Sequence, residues 1–246
     1  MIYETEPRTW KDLQNKVAEI LNESGLNAKI EYHPDSVRSD IEIDVFACEK
    51  IGNRENIFII ECKNWNKRIP QTVVHSVRTV VQDVGGNTGY IISKKGFQSG
   101  AYEAAKLTNV KLLTWHEFQD LFEEQWRKVF FDNYIEENWR KIIDYSDPFF
   151  WPNWANELSE DNTNELRKLL YKMDDWGVLL LKLKSTRFFD KSDLLHLPLN
   201  QYKFSKDFPS DLVDIIGYKE LLKKLHVYCD SLLREYENYK NTILRN

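Results

Sequence analysis

The chain has 246 residues, room for one large domain or for a standard domain plus a smaller one. At 42% hydrophobic and 13% aromatic it can fill a sizeable core, yet no run approaches the apolar length that crosses a membrane, so a soluble protein is expected. The net charge of −5 argues superficially against a nucleic-acid partner. The amino terminus MIYETEPRTW lacks a secretion signal's apolar core, and Cys48, Cys62 and Cys229 lack metal-ligand spacing, so a reducing cytoplasm without zinc is the expected setting.

Thr9 caps a helix whose apolar positions Trp10, Leu13, Val17, Ile20 and Leu21 recur at helical spacing, and Gly25 ends it. Glu19 lies on another face of that helix. Residues 28–32 read as a first strand and HPDSVRSD as a loop, with Asp40 and Glu42 as loop and surface charges. From Ile41 to Lys63 two strands flank Gly52-Asn53, a turn that folds them into an antiparallel hairpin. Alternation sets Glu42, Asp44 and Phe46 on one side of the first strand. In the second, Ile57, Ile59, Glu61 and Lys63 share a face, and Cys62 points the other way into the core.

After Trp65 the polar loop NKRIPQ leads to Pro70, which opens a helix through about Val84 with valines 73, 74, 77, 80, 81 and 84 as its buried stripe. His75 and Arg78 fall on other faces. Residues 88–93 read as a strand, 97–107 as a helix and 110–114 as another strand. Strands alternating with helices imply parallel additions to the hairpin, joined by right-handed crossovers. The predicted fold is α/β: a mixed sheet in the order αβββαβαβ flanked by helices, then a mainly helical carboxy-terminal region.

The character changes from Trp115 onward, so residues 1–118 are read as one domain and 119–246 as a helical region for assembly or target choice. Leu121, Phe122, Trp126 and Val129 are expected to form one stripe. Asp147-Pro148 to Pro152 breaks the helix, and the aromatics Phe149, Phe150, Trp151 and Trp154 either pack one domain against another or offer a base-stacking surface. Residues 164–184 read as a helix, interrupted at Gly177 or passing into a strand at VLLLKLK. Residues 185–210, with Arg187, Lys191, Lys203 and Lys206, read as a long ordered loop. The final helix, from about Tyr218, carries Leu221, Leu225, Tyr228, Leu232, Tyr236, Tyr239 and Ile243 at spacings of three and four. That seam suits another helix, in this chain or in a second copy.

A register that sets Asp44 beside Glu61 would gather two carboxylates and the Lys63 ammonium at one end of the sheet. Two such carboxylates repel unless a cation lies between them, and oxygen ligands of this kind suit Mg²⁺ or Mn²⁺. Lys63 would then orient or deprotonate a water, or stabilise charge developing on a phosphate. A salt-bridged hairpin edge is the bland alternative. Exposed ion pairs contribute only about 0–1 kcal/mol, a weak reason for three charges at the ends of apolar strands. Charge distribution supports the first reading: between Lys63 and Lys111 eight basic residues face only Asp83 and Glu103, a local balance of +6. Lys67, Arg68, Arg78, Lys94 and Lys95 are therefore candidate phosphate contacts, the last two in a strand-to-helix loop.

This pattern resembles the PD-(D/E)xK nucleases, and among them the Mrr-like restriction endonucleases. Asp44 matches the hairpin acid and Glu61-Cys62-Lys63 the acidic-x-Lys element, with ExK where the family more often has QxK. Gly89 to Ser93 followed by Gly96 to Ala101 is similar to its strand, loop and helix. The resemblance spans roughly residues 10–118. It implies a Mg²⁺- or Mn²⁺-dependent endonuclease with Asp44 and Glu61 as catalytic metal ligands, the Cys62 backbone carbonyl as a further ligand and Lys63 as the catalytic lysine. Relatives often carry an acid on the first helix; the matching position here is Gln14, an accessory candidate together with His75. DNA is the implied substrate, with RNA or branched DNA as alternatives, and restriction or antiviral defence the implied setting, alongside an ATPase or sensor partner. A homodimer or larger even oligomer would supply two sites for two strands. The competing reading is a non-catalytic nucleic-acid-binding or assembly subunit on a nuclease-like scaffold.

Overall fold

The first helix, α1 (Trp10–Glu23), starts where the Thr9 hydroxyl accepts the Asp12 amide at 3.0 Å, satisfying one of the donors that a helix start leaves unpaired. Leu13, Gln14, Val17, Ala18, Ile20 and Leu21 form its buried face. The computed structural model describes residues 1–34, 41–184, 194–204 and 208–245; Asp40, Arg187, Lys191 and Lys206 lie outside these.

Five strands form one sheet in sequence order: β1 (Asn27–Tyr32), β2 (Ile43–Ile51), β3 (Arg54–Lys63), β4 (Thr88–Ser93) and β5 (Val110–Thr114). The first three pair antiparallel, with Gly52 at φ +60° in the hairpin turn, and β4 and β5 add in parallel. The parallel additions are reached through α2 (Gln71–Asp83) and α3 (Ser99–Ala105), so the order αβββαβαβ is observed. Val74, Val77 and Val81 of α2 bury against Ile59, Ile91 and Val110 on one face. Period-two alternation turns Ile60 and Tyr90 to the other face, where the Tyr90 ring meets Phe122 of α4 (Trp115–Trp126) at 6.3 Å. Covering on both faces is what a sheet with parallel strands requires.

Thr114 and Glu117 make a reciprocal capping box at the start of α4. Its buried stripe is Trp115, Phe118, Phe122 and Trp126. Of the four residues expected to form the stripe, Phe122 and Trp126 are buried in it, whereas Leu121 and Val129 are 46% and 41% exposed. The chain divides into two compact units, Met1–Phe130 and Phe131–Asn246. The boundary read at 118/119 falls inside α4, whose aromatic face completes the sheet's core and so keeps the whole helix with the first unit.

The second unit contains α5 (Asp132–Tyr145), α6 (Glu160–Leu183) and α7 (Tyr218–Arg245). α6 is uninterrupted, neither broken at Gly177 nor passing into a strand. Gly177 instead marks its close approach to α5: a methyl group there would overlap Ser146 Oγ and Cβ. The seam of α7 is used within the chain. Leu221, Leu225 and Tyr236 are buried, Tyr228 stacks on Trp176 of α6 at 5.2 Å, and the Tyr239 hydroxyl donates to Asn162 O at 2.6 Å. α7 also meets α5 through Trp139 Nε1, which donates to Asp230 Oδ1 at 3.0 Å, and through a Tyr134–His226 hydrogen bond. The aromatic cluster at 149–154 packs inside this unit too: Phe150 lies on Tyr145 and Trp154 on Tyr236, leaving only Phe149 of the four largely exposed. Among the described residues no helix is long and apolar enough to cross a membrane.

Candidate active site

The hairpin register decides the site. Val45 pairs with Ile60, so one residue further along Asp44 stands opposite Glu61, at the end of β3 where the sheet opens. The Asp44 carboxylate is held by two donors, the Cys62 amide to Oδ2 at 2.8 Å and Gln14 Nε2 to Oδ1 at 2.8 Å. Lys63 Nζ contacts Glu61 Oε1 directly and lies 3.9 Å from Asp44 Oδ2. Three charges separated in sequence thus converge, each side chain only a fifth to a quarter exposed.

Burial pushes the Glu61 carboxyl above its usual range, and the Asp44 charge adds to this; Lys63 offsets only part of it. Burial also pulls against the Lys63 ammonium, but Glu61 and Asp44 together outweigh that and leave Lys63 more firmly protonated than usual. Burial raises the Cys62 thiol well above its ordinary value; with Asp44 and Glu61 adding to the effect, it stays a neutral packing group.

The donor set fits a hard divalent cation. Asp44 and Glu61 supply carboxylate oxygens beside one another, and a cation between them would relieve the Asp44 repulsion that adds to the effect of burial on Glu61. Gln14, 2% exposed, presents a second acceptor: its Oε1 is buried and makes no hydrogen bond among the described residues. No cluster of three or more His, Cys, Asp or Glu ligands occurs among the described residues, so two carboxylates suit an ion that keeps several waters.

Gln14 therefore reaches the site, as its matching position on the first helix implies, whereas Glu19 is exposed on α1 and Glu42 lies 3.5 Å from His33. His75 is exposed on α2 and does not line the cleft beside Asp44. The basic residues fall into two groups. β3 and β4 are in parallel register with Lys63 beside Ser93, and the Lys94 amide donates to Lys63 O at 3.2 Å. The loop after β4 is thereby set at the site's end of the sheet. The loop after β3 is tied to it: the Ile69 amide donates to Gly96 O and the Gln98 amide to Ile69 O, each at 3.0 Å. Lys67, Arg68, Lys94 and Lys95 thus sit exposed on two linked loops beside the carboxylates, while Arg78 is exposed further along α2. Buried Ser93 holds the second loop, its hydroxyl donating to Gly96 O at 2.9 Å.

A cleft of about 450 Å³ opens over Asp44 and Lys63, with Thr9 and Trp10 on one wall and Asn64 and Trp65 on another. Sequence reading missed Trp10 as a wall residue, taking it for part of the helix's apolar stripe; it is 56% exposed. Trp65 carried a usable signal, a large aromatic in a polar loop directly after the acidic-x-Lys element.

A mixed sheet whose central hairpin gathers an Asp and an acidic-x-Lys pair at one end is the scaffold of a restriction-endonuclease-like nuclease. Residues 6–122 match the Mrr catalytic family, described as restriction endonuclease, and this part of the chain is similar to an Mrr-like PD-(D/E)xK nuclease domain. No curated protein matches the chain. Among solved structures, one titled as the crystal structure of protein of unknown function AF1548 is 20% identical, covers 66% of this chain and 79% of its own, and has a TM-score of 0.40, too low to establish a shared fold.

Proposed function

We propose that the first unit is a divalent-metal-dependent endonuclease that hydrolyses DNA phosphodiester bonds. The observation that carries the proposal is the convergence of Asp44, Glu61 and Lys63 at the sheet end that also bears the Lys67-Arg68 and Lys94-Lys95 loops. Asp44, Glu61 and the Cys62 backbone carbonyl would hold Mg²⁺ or Mn²⁺. Bound there, the ion would polarise a phosphate oxygen and lower the pKa of a coordinated water. Gln14 and the Cys62 amide orient Asp44 before substrate arrives, removing a reorganisation cost. Lys63, as an ammonium against Glu61, is placed to hold the attacking water or to stabilise charge on the phosphate. The four loop cations grip the flanking backbone without reading sequence.

Purified protein incubated with plasmid, linear and modified DNA in Mg²⁺, Mn²⁺ or excess EDTA tests the proposal. Cleavage confined to the metal-containing samples is expected; cleavage in EDTA refutes the metal assignment. One observation favours the second reading, a non-catalytic nucleic-acid-binding subunit: Gln14 occupies the position of the helix-1 acid, leaving two carboxylates. Calorimetric titration of Mg²⁺ or Mn²⁺ into wild type and Glu61→Ala separates the two readings, since a non-catalytic scaffold need not bind the ion.

Restriction or antiviral defence in the cytoplasm, beside an ATPase or sensor protein, is carried with this proposal from the family. Cutting both strands of a duplex calls for two sites, which a two-fold assembly supplies. The α7 seam is already covered within the chain, so such an assembly would use other surface.

A further inference from the structure

The cleft over Asp44 and Lys63 is walled by two tryptophans that the phosphodiester chemistry does not use. Trp10 is 56% exposed and Trp65 is 37% exposed. Tryptophan is the largest apolar side chain, and the first unit buries others fully, as at Trp115 and Trp126. At least one lysine ammonium lies over each exposed ring. Lys11 Nζ is 5.6 Å from the Trp10 ring centre, and Lys63 and Lys67 are 5.6 and 5.2 Å from that of Trp65. One nucleotide could replace those ammonium groups on a ring: the base takes the face, and its neighbouring phosphate takes the displaced ammonium, which for Lys11 means leaving its ion pair with Glu31.

Base faces in a regular duplex are closed off within the stack, so an aromatic side chain beside it meets only sugar, phosphate and groove edges. Away from the ends of a duplex, only an unpaired or extruded nucleotide presents a free face, so the duplex used in a test must be long enough that its ends contribute little. Resting on the nuclease reading of the same cleft, we infer that Trp10 and Trp65 are stacking platforms, and that the site engages single-stranded DNA or an unpaired segment within a duplex. The two rings then select the substrate, while Asp44, Glu61 and Lys63 act on the phosphate between or beside the stacked bases. The cleft volume of about 450 Å³ lies at the scale of sites that enclose a nucleotide-sized ligand, roughly 300–1,000 Å³.

The test measures binding without cleavage. Fluorescence anisotropy in EDTA follows a labelled single-stranded oligonucleotide and the same sequence as a blunt duplex, for wild type, Trp10→Ala, Trp65→Ala and Trp65→Phe. Both tryptophans are exposed, so circular dichroism should confirm that the variants fold. Wild type is expected to prefer the single strand. Each alanine variant should lose about 5- to 150-fold in single-strand affinity, the range for one stacked base. Duplex affinity should stay within about twofold, and Trp65→Phe should restore most of the loss. Alanine variants that bind the single strand as wild type does, or lose equally on both forms, overturn the stacking role while leaving the nuclease reading intact. Failure of wild type to bind either form at low salt overturns both.

Discussion

Gln14→Glu converts the accessory position into the acid that relatives carry, and the surroundings define its cost. Gln14 is 2% exposed and donates to Asp44 Oδ1 at 2.8 Å, a hydrogen bond to a charged group worth about 1.5–3 kcal/mol. A carboxylate there loses the donor and faces Asp44 directly. Its alternative is to take up a proton and donate again, which costs about 3–4 kcal/mol at pH 7 from a reference pKa near 4.3 and caps the penalty. A loss of about 2–4 kcal/mol follows in EDTA, seen as a melting temperature about 4–16 °C lower for a domain of this size. With Mg²⁺ or Mn²⁺ the deficit should shrink, because a third carboxylate would strengthen a cation site formed by Asp44 and Glu61. Binding to the folded state alone then returns stability by mass action. Thermal melts of both proteins, with metal and with EDTA, provide the assay. A variant that melts with wild type in EDTA, or whose deficit metal does not reduce, would refute the placement of Gln14 at a cation site.

Lys63→Ala should retain metal and DNA binding but lose most turnover, since Lys63 is assigned to the reacting water or phosphate; cleavage at the wild-type rate would reduce it to a surface charge. Reversing Lys94 and Lys95 to Glu should weaken DNA binding across sequences and flatten its dependence on salt, read as the slope of log affinity against log salt. Gly177→Ala should destabilise the second unit despite Ala's better helix propensity of about 1 kcal/mol, because overlap with Ser146 costs about 1–3 kcal/mol or more; pairing it with Ser146→Gly should recover much of the loss in a denaturant melt. Glu136 is held below the usual carboxyl range by hydrogen bonds from Lys184 and Arg140, so its contribution is present above about pH 4.5 and is lost as pH falls through its lower folded value. Glu136→Gln should therefore lower stability at neutral pH and leave a shallower decline in acid titration followed by circular dichroism.

Period-two alternation and the Gly52-Asn53 turn were enough to predict the hairpin and the residues that share a face on each of its strands, while the register that sets Asp44 opposite Glu61 came from the structure. Both are local rules, settled by Cβ direction and by turn chemistry. The same holds for the valine stripe of α2 and for the parallel strands β4 and β5, whose order follows from short crossovers. What local periodicity leaves open is phase and partner. Leu121 and Phe122 are both apolar and adjacent; the docking of α4, with the Tyr90 ring of the sheet against Phe122, determines which of them turns inward. The α7 seam reads equally well for a second copy or for this chain, and α5 and α6 fill it. Gly177 looks like a helix breaker until Ser146 stands where its side chain would be. Gln14 meets Asp44 across 30 residues of sequence, and the Lys67 and Lys94 loops come together through two backbone bonds of Ile69, one to Gly96 and one from Gln98. Contacts of that kind depend on how whole elements dock, which spacing along one element does not encode. Trp10 shows this most plainly, since it keeps helical spacing with core residues yet stands at the helix's first turn, where the sheet ends and water begins.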